Sequence, residues 1–306
     1  MTAPPPPSGA APEPGPTAPR TCYRHSDRET GVSCTRCERP ICPDCMVEAS
    51  VGFQCPRCVA EGNRTVRRAR TPFGGRTVTK PYVTWTLLGL MAAGFIAQLG
   101  TSDPIGQAGA SGLIREFAML GLGRLEDGTL RGVMAGEWYR LITAAFLHGS
   151  IFHLLFNGYA LYVLGTQLER WLGHGRFLAL WVVGALAGSV LSLLVAPVQF
   201  SVGASGAIFA LFGAVLVIGK RLGLDLRMVL VLMGVNLVLT FVVPNISWTA
   251  HIGGLVAGLV VGAVFAYLPG RSAKASTRTL THVLLVAALA ALLVALVAAA
   301  PVLVLG

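Results

Sequence analysis

Ser201-Val-Gly203-Ala-Ser205-Gly206-Ala-Ile-Phe209 opens an apolar run that continues to Gly219 and reads as a membrane-crossing helix. It carries a hydroxyl, Ser205, between two glycines. Taken alone, Gly203-Ala-Ser205-Gly206 is also what a small-residue helix-packing patch would look like. Two other apolar runs change the balance, because they hold His153 with Asn157, and His251. Polar and ionisable side chains are costly inside a bilayer, face the protein interior, and mark functional sites by default.

Working outward, the chain has 306 residues, 54% of them hydrophobic and only 12% charged, with a mean hydropathy of +0.66. A soluble domain carries roughly 25% charged residues. The expected fold class is therefore an all-α polytopic membrane protein. Seven apolar segments fit it, at 82–100, 151–171, 175–196, 204–219, 227–243, 248–268 and 279–305. A long loop of mixed charge, 101–150, separates the first two. No apolar h-region precedes Tyr82, so no cleavable signal peptide is expected.

The net charge of +10 does not point to nucleic acid, since the basic residues cluster beside the apolar segments as topology signals. Arg64, Arg67, Arg68, Arg70, Arg76 and Lys80 precede the first segment. Arg170 and Arg176 follow the second, Lys220, Arg221 and Arg227 the fourth, and Arg271, Lys274 and Arg278 the sixth. The opposite short loops, Pro197 to Val202 and Pro244 to Ser247, have no lysine or arginine. The expected orientation puts the N-terminus in the cytoplasm and the C-terminus outside. Lysine occurs only at 80, 220 and 274; with heavy Ala, Gly, Val and Leu use, this arginine bias is associated with GC-rich bacterial genomes. A bacterial plasma membrane is the expected location.

The N-terminal eighty residues differ in kind. Residues 1–20 form a Pro- and Ala-rich stretch with nothing to bury, expected to be a disordered tail. All seven cysteines follow, as Cys22-x2-His25, Cys34-x2-Cys37, Cys42-x2-Cys45 and Cys55-x2-Cys58. Four such pairs supply eight ligands, enough for two tetrahedral zinc sites over 21–60. A disulfide framework is the competing reading, disfavoured by the odd cysteine count and a reducing cytoplasmic location. The order resembles cross-braced B-box and RING-like zinc fingers. That resemblance implies one zinc on Cys22, His25, Cys42 and Cys45, a second on Cys34, Cys37, Cys55 and Cys58, and a cytoplasmic protein partner. A basic linker is expected over 61–81.

On the expected topology the second, fourth and sixth segments all enter from the outer face, which sets His153, Asn157, Ser205 and His251 at one depth. The glycines at 254, 258 and 262 make a four-residue stripe, and Gly206, Ala210 and Ala214 offer a matching small face. Such packing could bring Ser205 to an imidazole base, the minimum for covalent acyl transfer. His153 and Asn157, spaced i,i+4, could donate to an oxyanion beside the Ser205 N–H.

At these residues the chain resembles the rhomboid intramembrane serine proteases. The matching motifs are Gly203-Ala-Ser205-Gly206, Ala250-His251-x2-Gly254-x3-Gly258, His148-x4-His153-x3-Asn157, Glu137-Trp-Tyr-Arg140 and Leu164-Gly165-x3-Glu169-Arg170. The resemblance covers about residues 82–268. It implies a six-helix core over 82–270 with one added helix over 271–306, and a Ser205–His251 dyad without a third carboxylate. It also implies an oxyanion hole of His153, Asn157 and the Ser205 amide, no cofactor for catalysis, and substrates that are themselves transmembrane helices. Where family members often carry Tyr four residues after the serine, this chain has Phe209, which can stack on the base but brings no hydroxyl. An inactive relative that escorts membrane proteins would typically lack the serine or histidine. A transporter would show internal repeats, and none is found.

Overall fold

The computed structural model describes residues 20–66, 70–102, 111–124, 128–243, 246–270 and 272–306. The expected disordered tail, apart from Arg20, lies outside them. The chain divides into two compact units, 1–68 and 69–306.

The first unit is organised by its cysteines, six of which are buried. Two short strands, β1 (Val47–Glu48) and β2 (Phe53–Gln54), pair antiparallel. They are followed by α1 (Pro56–Thr65), where Pro56 sits in the first helical turn and the Cys55 sulfur caps the Cys58 N–H.

The second unit is a helical bundle. Its described residues begin at Arg70, so 70–81 of the basic linker expected over 61–81 belong to this unit, while 61–65 are helical in α1. Phe73 is buried in the bundle core, and Gly75 sits so close to the Leu172 carbonyl that a Cβ there would be 2.1 Å from the oxygen. Next come α2 (Tyr82–Gly100) and α3 (Gly112–Phe117). A hairpin of β3 (Gly123–Arg124) and β4 (Leu130–Arg131) follows, then α4 (Arg140–Thr143), which runs on through a 3-10 turn to Phe146. A second span follows as α5 (Ile151–Ala160), a π-helical turn over Leu161–Gly165, and α6 (Thr166–Leu172). The remaining helices are α7 (His174–Val195), α8 (Ser205–Leu222), α9 (Arg227–Val242), α10 (Trp248–Tyr267) and α11 (Ala275–Leu305).

Five of these, α2, α7, α8, α10 and α11, are each long and apolar enough to cross a membrane. The segment Arg140–Phe146 bends by 96° into Ile151–Leu172, and that pair makes a sixth span if counted as one. Of the seven segments expected, α9 departs: at 16 residues it is about 24 Å long, short of a ~30 Å hydrocarbon core. The chain is a multi-pass membrane protein, and the exposed apolar faces of α5, α9 and α11 are those a bilayer would solvate.

The core is three helices deep. The α10 stripe packs directly on α8: a Cβ at Gly254 would lie 1.9 Å from the Gly206 carbonyl oxygen, and one at Gly258 2.0 Å from that of Ala210. On α7, Gly188 meets the Ala250 backbone in the same way. Any larger residue would force the backbones apart, so these glycines set the interhelical distance.

The described residues of the stretch 101–150, expected to be a loop, are held by a buried arginine. Arg140 is fully buried and donates through Nε to Glu137 (2.6 Å) and through its two terminal nitrogens to the carbonyls of Ala118 (2.8 Å) and Arg115 (2.9 Å). Glu137 also accepts from the Gly132 N–H (2.6 Å) and from Arg131 (2.5 Å). Burial alone would raise the Glu137 pKa, but the bonds from Arg140, Gly132 and Arg131 outweigh it and hold the carboxyl below its ordinary range. A depressed carboxyl contributes stability above its unfolded pKa of about 4.3, and loses it as pH falls through the lower folded value. Glu137→Gln should therefore cost about 1–3 kcal/mol at pH 7. It should also flatten the loss of thermal stability of the detergent-solubilised protein below about pH 4.3. Scanning fluorimetry of the two proteins across pH 3–7 checks both effects.

At the other end of the bundle, Glu169 is fully buried and accepts from the Val83 N–H (3.0 Å), the Thr84 N–H (2.9 Å) and the Thr84 hydroxyl (2.6 Å). A carboxylate there satisfies N–H groups in the first turn of α2 that have no intrahelical acceptor, and complements the helix dipole.

Candidate active site

Ser205 is the first residue of α8, half-buried, at the end of a tightly held approach. Met119 and Ser201 exchange backbone hydrogen bonds (2.9 and 3.0 Å), and the Gly203 N–H donates to the Ala144 carbonyl (2.9 Å). Gly203 has φ +115°, a backbone conformation that favours glycine. Space demands glycine too: a Cβ there would lie 2.6 Å from His153 Nε2 and 3.5 Å from Asn157 Nδ2. The turn two residues before Ser205 thus abuts both polar groups of α5. Being N-terminal in α8, the Ser205 N–H is among those with no intrahelical acceptor, and it stands at the positive end of the helix dipole.

His153 and Asn157 lie on one face of α5, while Phe152, Leu155, Phe156 and Tyr159 are exposed on the rest. Ser150 caps this helix by accepting the His153 N–H (3.2 Å). Asn157 is buried, and its Nδ2 has no hydrogen-bond partner, an amide donor aimed at the cluster. The His148 and His153 rings meet edge to face, 5.1 Å apart.

His251, in the first turn of α10, is also buried. Ser247 caps α10 by accepting the Ala250 N–H (3.3 Å), and a hydroxyl cluster of Ser247 with the buried Ser192 and Thr249 ties this end to α7. The imidazole stacks on Phe209, with centroids 4.2 Å apart and planes within 14°. Phe209 is one helical turn beyond Ser205, so the two share a face of α8. His251 Nδ1 lies 2.6 Å from the Thr240 hydroxyl oxygen on α9, and that hydroxyl donates to the Asn236 carbonyl (2.7 Å). Beside Gly203 and Gly206 is a cavity of about 20 Å³ whose lining includes Ser189, Ser192 and Ser201.

The four residues singled out in the sequence thus lie on α5, α8 and α10, with His153 and Asn157 against Gly203, two residues before Ser205, and His251 against Phe209, one turn after it. Two residues that bond histidines of this region, Thr240 to His251 and Gln98 to His148, were not singled out. Thr240 is the buried residue of α9. Gln98 on α2 clamps the backbone of His148, its amide donating to the carbonyl (3.0 Å) and accepting from the N–H (2.9 Å). The available signal for each was a polar side chain in an otherwise apolar helix.

In the N-terminal unit, Cys22, His25, Cys42 and Cys45 form one group and Cys34, Cys37, Cys55 and Cys58 another, each with its ligand atoms within 4.8 Å of one another. All seven cysteines are free thiols. His25 Nδ1 is 3.3 Å from Cys42 Sγ and 3.5 Å from Cys45 Sγ, and Cys37 Sγ is 3.7 Å from Cys55 Sγ. Tetrahedral zinc, with bonds of about 2.3 Å to sulfur, needs ligand separations of roughly 3.5–3.8 Å. Against the effect of burial, backbone N–H groups of Arg24 and Cys42 push the Cys22 thiol down to about 6, while burial and the Cys22 and Cys42 side chains push Cys45 of the same group up to about 11. Both groups could hold a metal ion, and their donor sets are compatible with zinc.

The Rhomboid domain family matches residues 135–268, which include every residue of the polar cluster except Gln98. The chain is 37% identical over 160 residues to the rhomboid protease GluP of Bacillus subtilis, covering 50% of this chain and 30% of GluP. It is 32% identical over 221 residues to RHOMBOID-like protein 5 of Arabidopsis thaliana, covering 62% of this chain and 70% of the relative. With RHOMBOID-like protein 4 of the same plant it shares 34% over 169 residues, 51% of this chain and 42% of the relative. A match that spans more than two thirds of a relative, and a domain match laid over the helices that build the cluster, place this chain in the rhomboid family of intramembrane serine proteases.

Proposed function

We propose that the chain is an intramembrane serine endopeptidase that cleaves transmembrane helices of other membrane proteins near the outer face, using Ser205 and His251. The observation that carries this reading is the stacking of His251 on Phe209 one turn below Ser205, which puts an imidazole on the serine's face of α8. His251 takes the Ser205 proton as Oγ attacks the scissile carbonyl carbon. The charge that develops on the carbonyl oxygen is met by the Ser205 N–H, His153 and the unpartnered Asn157 amide. The imidazolium then protonates the leaving amine, and water, deprotonated by His251, hydrolyses the acyl-enzyme and restores the serine.

The basic flanks support a cytoplasmic location for residues 20–66. We assign two structural zinc ions to the two ligand groups there, and a cytoplasmic protein contact to the unit they fold.

The oxyanion role has its own test. Asn157→Ala should lower kcat for a transmembrane reporter by about 10-fold to 10³-fold with little change in KM, as for a donor that acts in the transition state. An unchanged kcat with a collapsed thermal transition would make Asn157 a packing residue.

A further inference from the structure

We propose that Thr240 is the positioning residue of the catalytic base, holding His251 in the one tautomer that can deprotonate Ser205; this rests on the Ser205–His251 reading. Stacking on Phe209 fixes the tilt of the imidazole but not its rotation in its own plane, because a phenyl face offers no directional partner. Nor does Phe209 bring a hydroxyl. What sets the in-plane orientation is the 2.6 Å contact between His251 Nδ1 and Thr240 Oγ1.

The direction of that bond follows from the next one. Thr240 has a single hydroxyl proton, and its oxygen lies 2.7 Å from the Asn236 carbonyl, which can only accept. If the hydroxyl turned its proton to His251 instead, two oxygen lone pairs would face each other at that distance. Both contacts are satisfied only when Thr240 donates to Asn236 and accepts from His251 Nδ1–H. The proton is then on Nδ1, and Nε2 keeps the lone pair that can receive the proton of Ser205. Thr240 is 3% exposed, so water does not compete freely for this bond. In serine hydrolases a buried carboxylate usually performs this task, and mispositioning the tautomer there costs about 10⁴ in kcat. A neutral hydroxyl stabilises the imidazolium less, so its removal costs less.

The test compares Thr240→Ser, Thr240→Ala and Thr240→Val in a transmembrane-reporter assay, with Ser205→Ala alongside. Ser and Ala both lack the methyl group and differ only in the hydroxyl. Thr240→Ser should keep kcat within about threefold of the unmodified protein, while Thr240→Ala and Thr240→Val lose about 10-fold to 100-fold, well under a triad carboxylate's ~10⁴. KM should stay within about twofold in all three, since ground-state binding is untouched. Equal rates for Ser and Ala variants, or a loss carried by KM, would overturn the assignment. Residual cleavage by Ser205→Ala would instead overturn the underlying dyad, so the two failures are told apart.

Discussion

Cleavage of a transmembrane reporter is expected to fall to background in Ser205→Ala and, separately, in His251→Ala. Nucleophile and base act as one unit, so losing either costs nearly as much as losing both, on the order of 10⁶ in kcat for a soluble serine protease. The double variant should therefore be no worse than the singles. Ser205→Ala removes a single oxygen, while His251→Ala opens a cavity against Phe209 and takes away a partner of Thr240. Ser205 is half-buried at a helix start, and His251→Ala leaves the Gly254–Gly206 contact intact. Monodispersity in detergent should be preserved in both. Activity above a few percent in either single variant would remove that residue from the chemistry.

Metal removal should have the second largest effect, confined to the N-terminal unit. Metal analysis of the purified full chain should return two zinc ions. A chelator should strip them and expose all seven cysteines to a thiol reagent. A unit of this size, with a core of buried sulfurs and Ile41, has little else to hold it. Zinc binding supplies about 10–16 kcal/mol in comparable modules and is in effect their folding energy. Reporter cleavage should continue at close to the untreated rate, since none of the residues assigned to the chemistry lies in the N-terminal unit. One zinc or none would defeat the two-site assignment, and a dead but monodisperse apo protein would show that the module controls the core.

Much of this architecture was readable because it rests on spacing. The glycines at 254, 258 and 262 recur every four residues, and the face they form is the one that meets Gly206, Ala210 and Ala214. His153 and Asn157 share a helix face for the same reason. Other features rest on partners far away in the chain. Arg140 holds together a stretch that looked like a loop, through the carbonyls of Ala118 and Arg115, and no local pattern announces which carbonyls a guanidinium will find. Likewise, the polarity of Glu169 is visible in the sequence, but its partners, the N–H groups of Val83 and Thr84, lie some 85 positions earlier. Thr240 escaped notice because one threonine in an apolar helix normally just bonds back to its own backbone, as this one also does.

The measurement closest to the central claim is covalent labelling with a fluorophosphonate followed by mapping of the modified peptide. A single adduct on Ser205 is expected in the unmodified protein, none in Ser205→Ala, and labelling slowed to background in His251→Ala. An adduct on another residue, or labelling that persists in Ser205→Ala, would contradict that claim.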